Sequence, residues 1–276
     1  MKIQEEIISS RNNPTVKWAA SLLDKKGRDL AKSFIVEGKK LVFEALENLL
    51  PVTHIFVAES KKDLYFVEIM KFFKEKFLDG TKIFVLSDGA FEKISTEKAP
   101  QGIISVIKYL DFFHELDIIY KEDFFLSSSE RAIVLSSVRD PGNLGSVIRS
   151  AVAFGAKHII ASSDSADIYN PKTVRAAMGS LFKVKITYVS NLSDFVCCAK
   201  ENGRRVFAAE LTDDANSLSE LQVEASDLFI IGNEGHGIDR QISKLCDGSV
   251  YIPISEKTES LNAAVAAGIF MWEQSK

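Results

Sequence analysis

The hydrophobic positions change rhythm near residue 131. From Arg131 onward, continuous apolar runs alternate with amphipathic stretches: AIVLSSV (132–138), KHIIASS (157–163), KVKITYV (183–189), RVFAAEL (205–211), DLFIIGN (227–233) and VYIPI (250–254). Runs that are apolar at successive positions predict strands covered on both faces. The stretches between them predict helices: one opening around Asn143, one at Asn170-Pro171, one over 192–202 stopped by Gly203, and one after Ser260. Strand and helix in alternation make a parallel, helix-covered α/β sheet, whose ligands sit at the carboxyl ends of the strands.

Before residue 108 the texture differs. Charged helical stretches such as VKWAASLLDKKGRDLAKS (16–33) mix with short strands, SFIVEG (33–38), THIFVAE (53–59), KIFVLSD (82–88) and QGIISVIK (101–108). They predict a smaller α/β unit. A phenylalanine-rich passage, YLDFFHELDIIYKEDFFLSSSER (109–131), follows, with apolar residues expected to pack against a neighbouring domain and Ser127, Ser128 and Ser129 read as a turn. The expected division is therefore 1–107, a linker at 108–130, and 131–276.

Composition narrows the function classes. The chain of 276 residues has a hydrophobic fraction of 46%, a charged fraction of 26% and a formal net charge of −4, an ordinary globular composition that argues against indiscriminate coating of nucleic acid. A local basic excess survives this. The first 32 residues hold seven bases against four acids, which a solvated helix face or an RNA contact explains equally well. Cys197, Cys198 and Cys246 form no C-x-x-C pair, so neither a disulfide framework nor a metal site is expected. The opening MKIQEEIISSRNN carries acids where a signal peptide needs an apolar core, and no apolar run approaches the roughly 20 residues of a membrane span. The expectation is a cytoplasmic protein with no membrane partner.

Three turns after predicted strands carry candidate chemistry. The first, DPGNLGSVIR (140–149), puts glycine between strand and helix, the place of a phosphate cradle. Its Gly142 and Gly145 are spaced G-x-x-G, which is wrong for the G-x-G-x-x-G dinucleotide turn, and no Walker loop occurs anywhere in the chain. The second, IIGNEGHGID (230–239), sets Asn233 and Glu234 among Gly232, Gly235 and Gly237. These two polar residues either cap a helix beginning near Ile238 or enter a site. The third, IPISEKTESLNAAVAAG (252–268), places Ser260, Leu261 and Asn262 at a helix start, where Ser260 reads as a cap compatible with a second role toward a ligand.

Taken together and in order, the three turns resemble the signature motifs of the SpoU (TrmH) class of RNA ribose 2′-O-methyltransferases in the SPOUT superfamily. Asn143, Gly145 and Arg149 match N-x-G-x-x-x-R. Gly232, Asn233, Glu234, Gly235 and Gly237 match G-N-E-G-x-G, and Ile252, Pro253, Ser260, Leu261 and Asn262 match the final motif. The stretch from Arg11 to Gly38 is similar to the substrate-binding domain carried by many members. The stretch VRAAMGSLFKV departs from the family at Ala177, where a small or hydroxyl residue is common.

The resemblance implies a C-terminal sheet tied in a deep trefoil knot, a smaller ribosomal-protein-like N-terminal domain, and a homodimer formed through the knotted domains. It implies S-adenosylmethionine as cofactor, held near Leu211, Gly232, Asn233, Gly237, Ile252, Ile254 and Leu261. Arg149, Asn143, Glu234, Ser260 and Asn262 are the implied catalytic residues, with Asn143 expected to position Arg149. The expected substrate is structured RNA, ribosomal before transfer RNA, gripped by Arg11, Lys25, Lys26 and Arg28; a non-catalytic assembly factor of the same fold is the alternative. No histidine is expected to be the base, since His54, His114 and His158 lie outside the motifs and His236 fills a variable position. Deprotonating a free guanidinium at neutral pH costs roughly 7 kcal/mol. Arg149 is thus expected to act as a cation, clamping phosphate or stabilising developing alkoxide.

Overall fold

A computed structural model describes the chain except for residues 1, 76–79, 111–112, 117–125, 128 and 256. Most of the phenylalanine-rich passage, and the middle residue of its serine turn, thus lie outside the described residues. In chain order the elements are β1 (Lys2–Ile8), α1 (Pro14–Ser21), α2 (Lys25–Ala31), β2 (Ser33–Glu37), α3 (Lys39–Glu47), β3 (Val52–Ala58), α4 (Lys62–Glu75), β4 (Lys82–Leu86), α5 (Asp88–Phe91) and β5 (Ile103–Lys108). There follow β6 (Phe113–Leu116), β7 (Ala132–Leu135), α6 (Pro141–Phe154), β8 (His158–Ser162), α7 (Pro171–Ala177), β9 (Lys185–Val189) and α8 (Leu192–Glu201). The chain closes with β10 (Val206–Ala209), β11 (Asn216–Ser217), β12 (Leu228–Ile231), α9 (Arg240–Ser243), β13 (Gly248–Tyr251) and α10 (Ala263–Gln274).

Contacts divide the chain into two units, 1–110 with 169–182, and 111–168 with 183–276. The first holds a five-stranded sheet in the order β1-β4-β3-β5-β2, in which β1, β4 and β3 run parallel and β5 is antiparallel to both β3 and β2. Strand β1, KIQEEII, was not expected from the sequence, because two adjacent glutamates break its alternation. Its core gathers Val16, Ala19, Leu22, Phe56, Leu86 and Phe91. The segment 169–182 lies between two strands of the other sheet in sequence yet packs here: Tyr169 stacks on Tyr109 at 4.0 Å, its hydroxyl accepts from the Leu110 amide at 2.9 Å, and Arg175 pairs with Glu97 at 3.0 Å. An aromatic pair and an ion pair are ample reason for a short helix to leave the sheet that flanks it in sequence.

The second unit is an eight-stranded sheet in the order β11-β13-β10-β12-β7-β8-β9-β6, with every pairing parallel. All six expected strands are present. Two were missed: β11 is only two residues long, and β6 lies inside the expected linker, pairing with β9 at the sheet edge. Strands β7 and β12 are buried at every position, as cover on both faces requires. Parallel pairing sends all the carboxyl ends to one edge, so the loops after β7, β8, β10, β12 and β13 gather there.

Candidate active site

The first loop is built by α6. Asp140, with Pro141 at the first helical position, starts the helix: the Asp140 carboxylate accepts from the Asn143 amide at 2.9 Å, and Gly155 ends the helix at φ +72°. The glycine turn thus sets the helix rather than cradling a phosphate. On α6, Leu144, Val147, Ile148 and Ala151 face inward, which leaves Arg149 exposed. The Arg149 side chain makes no hydrogen bond or ion pair with any described residue. A surface salt bridge is therefore not its role.

The second loop folds back on itself. The Asn233 amide donates to the Gly237 carbonyl at 3.0 Å, and Gly237 returns the bond at 2.9 Å. A Cβ on Gly232 would meet the Gly237 carbonyl carbon at 2.5 Å, and Gly237 sits at φ +68°, so both positions require glycine. The Asn233 side-chain oxygen accepts from the amides of Gly235 (2.9 Å) and His236 (3.2 Å), while its Nδ2 donates to the Ser137 carbonyl at 2.8 Å. This answers the capping question. Asp239, not Asn233 or Glu234, caps the next helix, and Asn233 is spent on shaping its loop and tying it to the loop after β7. Ser137, the acceptor, holds φ +56°, a left-handed conformation that costs a non-glycine residue about 1 kcal/mol or more.

The third loop leads into α10, whose N-cap is Asn262 rather than Ser260. The Asn262 Oδ1 accepts from the amides of Ala264 (2.9 Å) and Val265 (3.4 Å), and Ser260 stands exposed two residues earlier. A serine before an apolar run is a cap signal, but the Asn two residues on accepts the amides that a cap must satisfy.

Tertiary structure joins the three loops through side chains. Asn262 Nδ2 donates to Asn143 Oδ1 at 2.9 Å, and Asn143 Nδ2 donates to a carboxylate oxygen of Glu234. The direction of the chain follows from its ends. Because the Asn262 oxygen is committed to the helix amides, its nitrogen must face Asn143. Asn143 must then offer oxygen to Asn262 and nitrogen to Glu234, which accepts as a carboxylate. Asn143 touches Glu234 and Asn262 and has no bond with Arg149; six residues apart on α6, the two stand about 9 Å apart along the helix axis and on different sides of it.

The cofactor residues expected from the resemblance follow neighbouring strands. Leu211 comes after β10, Gly232 and Asn233 after β12, and Ile252 and Ile254 after β13, and β10 pairs directly with both β12 and β13. Leu211 is 77% exposed and Ile254 39% exposed, so two large apolar side chains flank this edge without cover. Leu261 is half-buried before the Asn262 cap.

The four basic residues expected on RNA separate sharply. Lys25 and Lys26 are exposed and unpaired among the described residues. Arg11 is spent on Glu92 at 2.8 Å and on the Gly89 carbonyl at 2.6 Å. Arg28 corrects the expectation outright. Its side chain is buried at 2% exposure, with Nη1 donating to the carbonyls of Leu22 (3.0 Å) and Leu23 (2.8 Å), so it closes the α1–α2 turn and cannot reach a phosphate. Sequence spacing could not separate Arg28 from Lys25, because residues three apart share a helix face and only the carbonyls of Leu22 and Leu23 gathered around the guanidinium set Arg28 apart.

His54 is also structural. It lies against Trp18 at 4.5 Å and stacks on Phe56 and Phe84, and burial, together with the nearby Lys82 charge, pushes its pKa down to about 4. The exposed His236 gives only its backbone amide to the second loop in the bonds described above.

Comparison with known proteins agrees with this geometry. Residues 130–272 match the SpoU rRNA Methylase family, and residues 13–105 match the MRM3-like substrate binding domain. The chain is 31% identical to the 23S rRNA (guanosine(2553)-2′-O)-methyltransferase RlmP of Bacillus subtilis, over 96% of this chain and 97% of the relative. It is 29% identical to the 23S rRNA (uridine(2479)-2′-O)-methyltransferase of Streptomyces viridochromogenes, over 96% and 90%. The crystal structure of AdoMet-bound rRNA methyltransferase from Sinorhizobium meliloti superposes with a TM-score of 0.82 at 27% identity, covering 99% of this chain and 97% of that one. With three linked motif loops on one sheet edge and a family match across more than half its length, the chain belongs to the SpoU rRNA methylase family.

Proposed function

We propose that this protein transfers the methyl group of S-adenosylmethionine to a ribose 2′-hydroxyl of ribosomal RNA. The observation that carries the reading is the Glu234–Asn143–Asn262 chain on the edge where three motif loops converge, with Arg149, exposed and unpaired among the described residues, further along the helix that bears Asn143. The relatives' ribosomal substrates support ribosomal over transfer RNA.

The donor set fits the cofactor. Uncovered Leu211 and Ile254 flank adjacent strand ends, and an adenine ring needs such apolar cover above backbone donors and acceptors. Backbone at Leu211, Gly232, Ile252 and Leu261 would hold the nucleoside, with Asn233 and Gly237 fixing the loop around it. When bound, the cofactor supplies an electrophilic methyl group on a sulfonium. The chain's own residues then have to orient a hydroxyl toward that methyl and steady the charge that develops on its oxygen. Arg149, a cation whose side-chain donors are unused among the described residues, does the second. Asn143 and Glu234, fixed by Asn262, shape the wall against which the ribose lies, and the open hydroxyl of Ser260 stands at its rim.

We further propose that the chain is knotted and dimeric through the second unit, in the cytoplasm. The last helix supports this: α10 lies against α6, its Gln274 Nε2 reaches the carbonyls of Ala132 (3.1 Å) and Asp227 (2.7 Å), and Val265 and Trp272 stay half-exposed along a groove with Ser146, Ser150 and Gly268. Sedimentation of Val265→Asp should shift a wild-type dimer toward monomer. None of the three cysteines forms a disulfide, as a reducing compartment allows.

Mapping of ribose methylation in ribosomal RNA from cells with and without the gene tests the activity. One position should lose its methyl group in the deletion and regain it with wild type but not with Arg149→Ala. Full rescue by the alanine variant would remove Arg149 from catalysis, and no change at any position would overturn the reading. Calorimetry showing no S-adenosylmethionine binding would instead favour an assembly factor.

A further inference from the structure

The loops after β7 and β8 hold a second arginine that the three motifs do not include. Arg139 lies immediately before the Asp140 cap, and its Nη2 donates to Asp164 Oδ2 at 2.8 Å. Asp164 is itself gripped: its two oxygens accept from Ser137 Oγ and Ser162 Oγ, each at 2.7 Å. The Ser137 amide donates to Ser162 Oγ at 2.8 Å, and the Ala166 amide to the Val138 carbonyl at 2.9 Å, so the two loops are laced together. Burial opposes ionisation of Asp164, but hydrogen bonds from Arg139, Ser162 and Ser137 outweigh it, and its pKa lies below the ordinary value.

This lattice is more than a surface ion pair needs. Ser137 adopts its left-handed conformation while spending its hydroxyl on Asp164 and its carbonyl on Asn233, so the loop that carries Arg139 is fixed to the catalytic edge from both sides. Arg139 remains 65% exposed, and its Nε and Nη1 make no bond with any described residue. A guanidinium held by one nitrogen with the rest of its fork open is a preorganised donor for an anion.

Topology says which anion. Along the carboxyl edge the cofactor loops follow β13, β10 and β12, and β7 and β8 come next. A nucleophile must approach a methyl group from the side opposite its leaving group. On this edge the side away from the cofactor loops is that of β7 and β8, and Arg139 stands in the loop after β7, tied to the loop after β8 through Asp164. We propose that Arg139, oriented by Asp164, contacts a backbone phosphate of the substrate RNA next to the target ribose, as a positioning residue distinct from Arg149. This rests on the reading of the protein as an RNA ribose methyltransferase.

The test uses the full chain and unmodified 23S ribosomal RNA transcribed in vitro, with binding measured across a salt series and S-adenosylmethionine affinity measured separately by calorimetry. Arg139→Ala should weaken RNA binding by about tenfold and lower the salt slope by about one ion, with cofactor affinity unchanged. Arg139→Lys should restore the slope but only part of the affinity, since a point charge lacks the fork. Asp164→Asn should weaken RNA binding by a smaller factor and add nothing to Arg139→Ala, because it acts through that arginine. Unchanged RNA affinity and slope in Arg139→Ala overturn the proposal, as does a parallel fall in cofactor affinity; additivity of the two substitutions overturns the orienting role of Asp164. A wild-type protein that binds the cofactor but not this RNA removes the functional reading and the proposal together, whereas failure of Arg139 alone leaves the reading standing.

Discussion

Both units present an edge where parallel strands end, yet the two edges spend their polar groups differently. In the first unit the ends of β3 and β4 open on a small cavity lined by Ala58, Ser60, Lys61, Asp88, Phe91, Glu92, Pro100 and Gly102. There Asp88 accepts from the Ser60 hydroxyl at 2.8 Å, and Glu92 holds Arg11. In the second unit Arg149 has no partner among the described residues, and the Glu234–Asn143–Asn262 chain ends at an exposed carboxylate. A parallel-sheet edge is thus only a place where a site can be built. Groups left unspent by the fold mark where one has been.

Two arginines sharpen this contrast, and exchanging each for alanine should give opposite outcomes. Arg149→Ala should lower methyl transfer by about 100-fold or more, as loss of a preorganised charge does, and leave the urea unfolding midpoint almost unmoved. Arg28→Ala should cost about 2–4 kcal/mol of stability in urea unfolding, because two carbonyls in the α1–α2 turn lose their donor and a buried side chain is deleted, while the salt slope of RNA binding stays unchanged. If Arg28→Ala alters the slope in a folded protein, the division between fold arginines and site arginines fails.

The first unit should also carry a pH signature on the near-neutral side. His54 has a folded pKa of about 4, below its value of 6.5 in an unfolded chain, so the unfolded state binds the extra proton first as pH falls. Stability from this residue is present above pH 6.5 and declines by about 1–2 kcal/mol on the way to pH 4, after allowance for partial exposure. His54→Phe should flatten that part of the profile; an unchanged slope would place the titration elsewhere. The smallest effect belongs to the exposed pair. Lys25→Ala with Lys26→Ala should weaken RNA binding by about threefold and lower the salt slope by up to two ions, with cofactor affinity constant.

Much of the second unit could be read along the chain. Short apolar runs such as AIVL, VFAA and LFII mark its six principal strands, and their alternation with helices made the sheet parallel. Strand β6 escaped because it lies in a passage whose pattern has no clear period, and β1 because of its paired glutamates. The motif residues were also legible, since Gly232 and Gly237 are demanded locally by a loop that closes on itself. What they do to one another was not. Asn143, Glu234 and Asn262 are 91 and 119 residues apart along the relevant bonds, and no local pattern encodes which amide faces which.

The sequence by itself determined most of the elements, the shared edge and the identity of the chemical groups, because periodicity, turn residues and capping are short-range effects. Tertiary structure decided which groups remain free. Arg28 and Arg149 carry the same charge on the same kind of helix, but one is absorbed by carbonyls brought over it and the other is left without a partner among the described residues. That difference is set by packing, and it separates a residue that holds the fold from one that can act on a substrate.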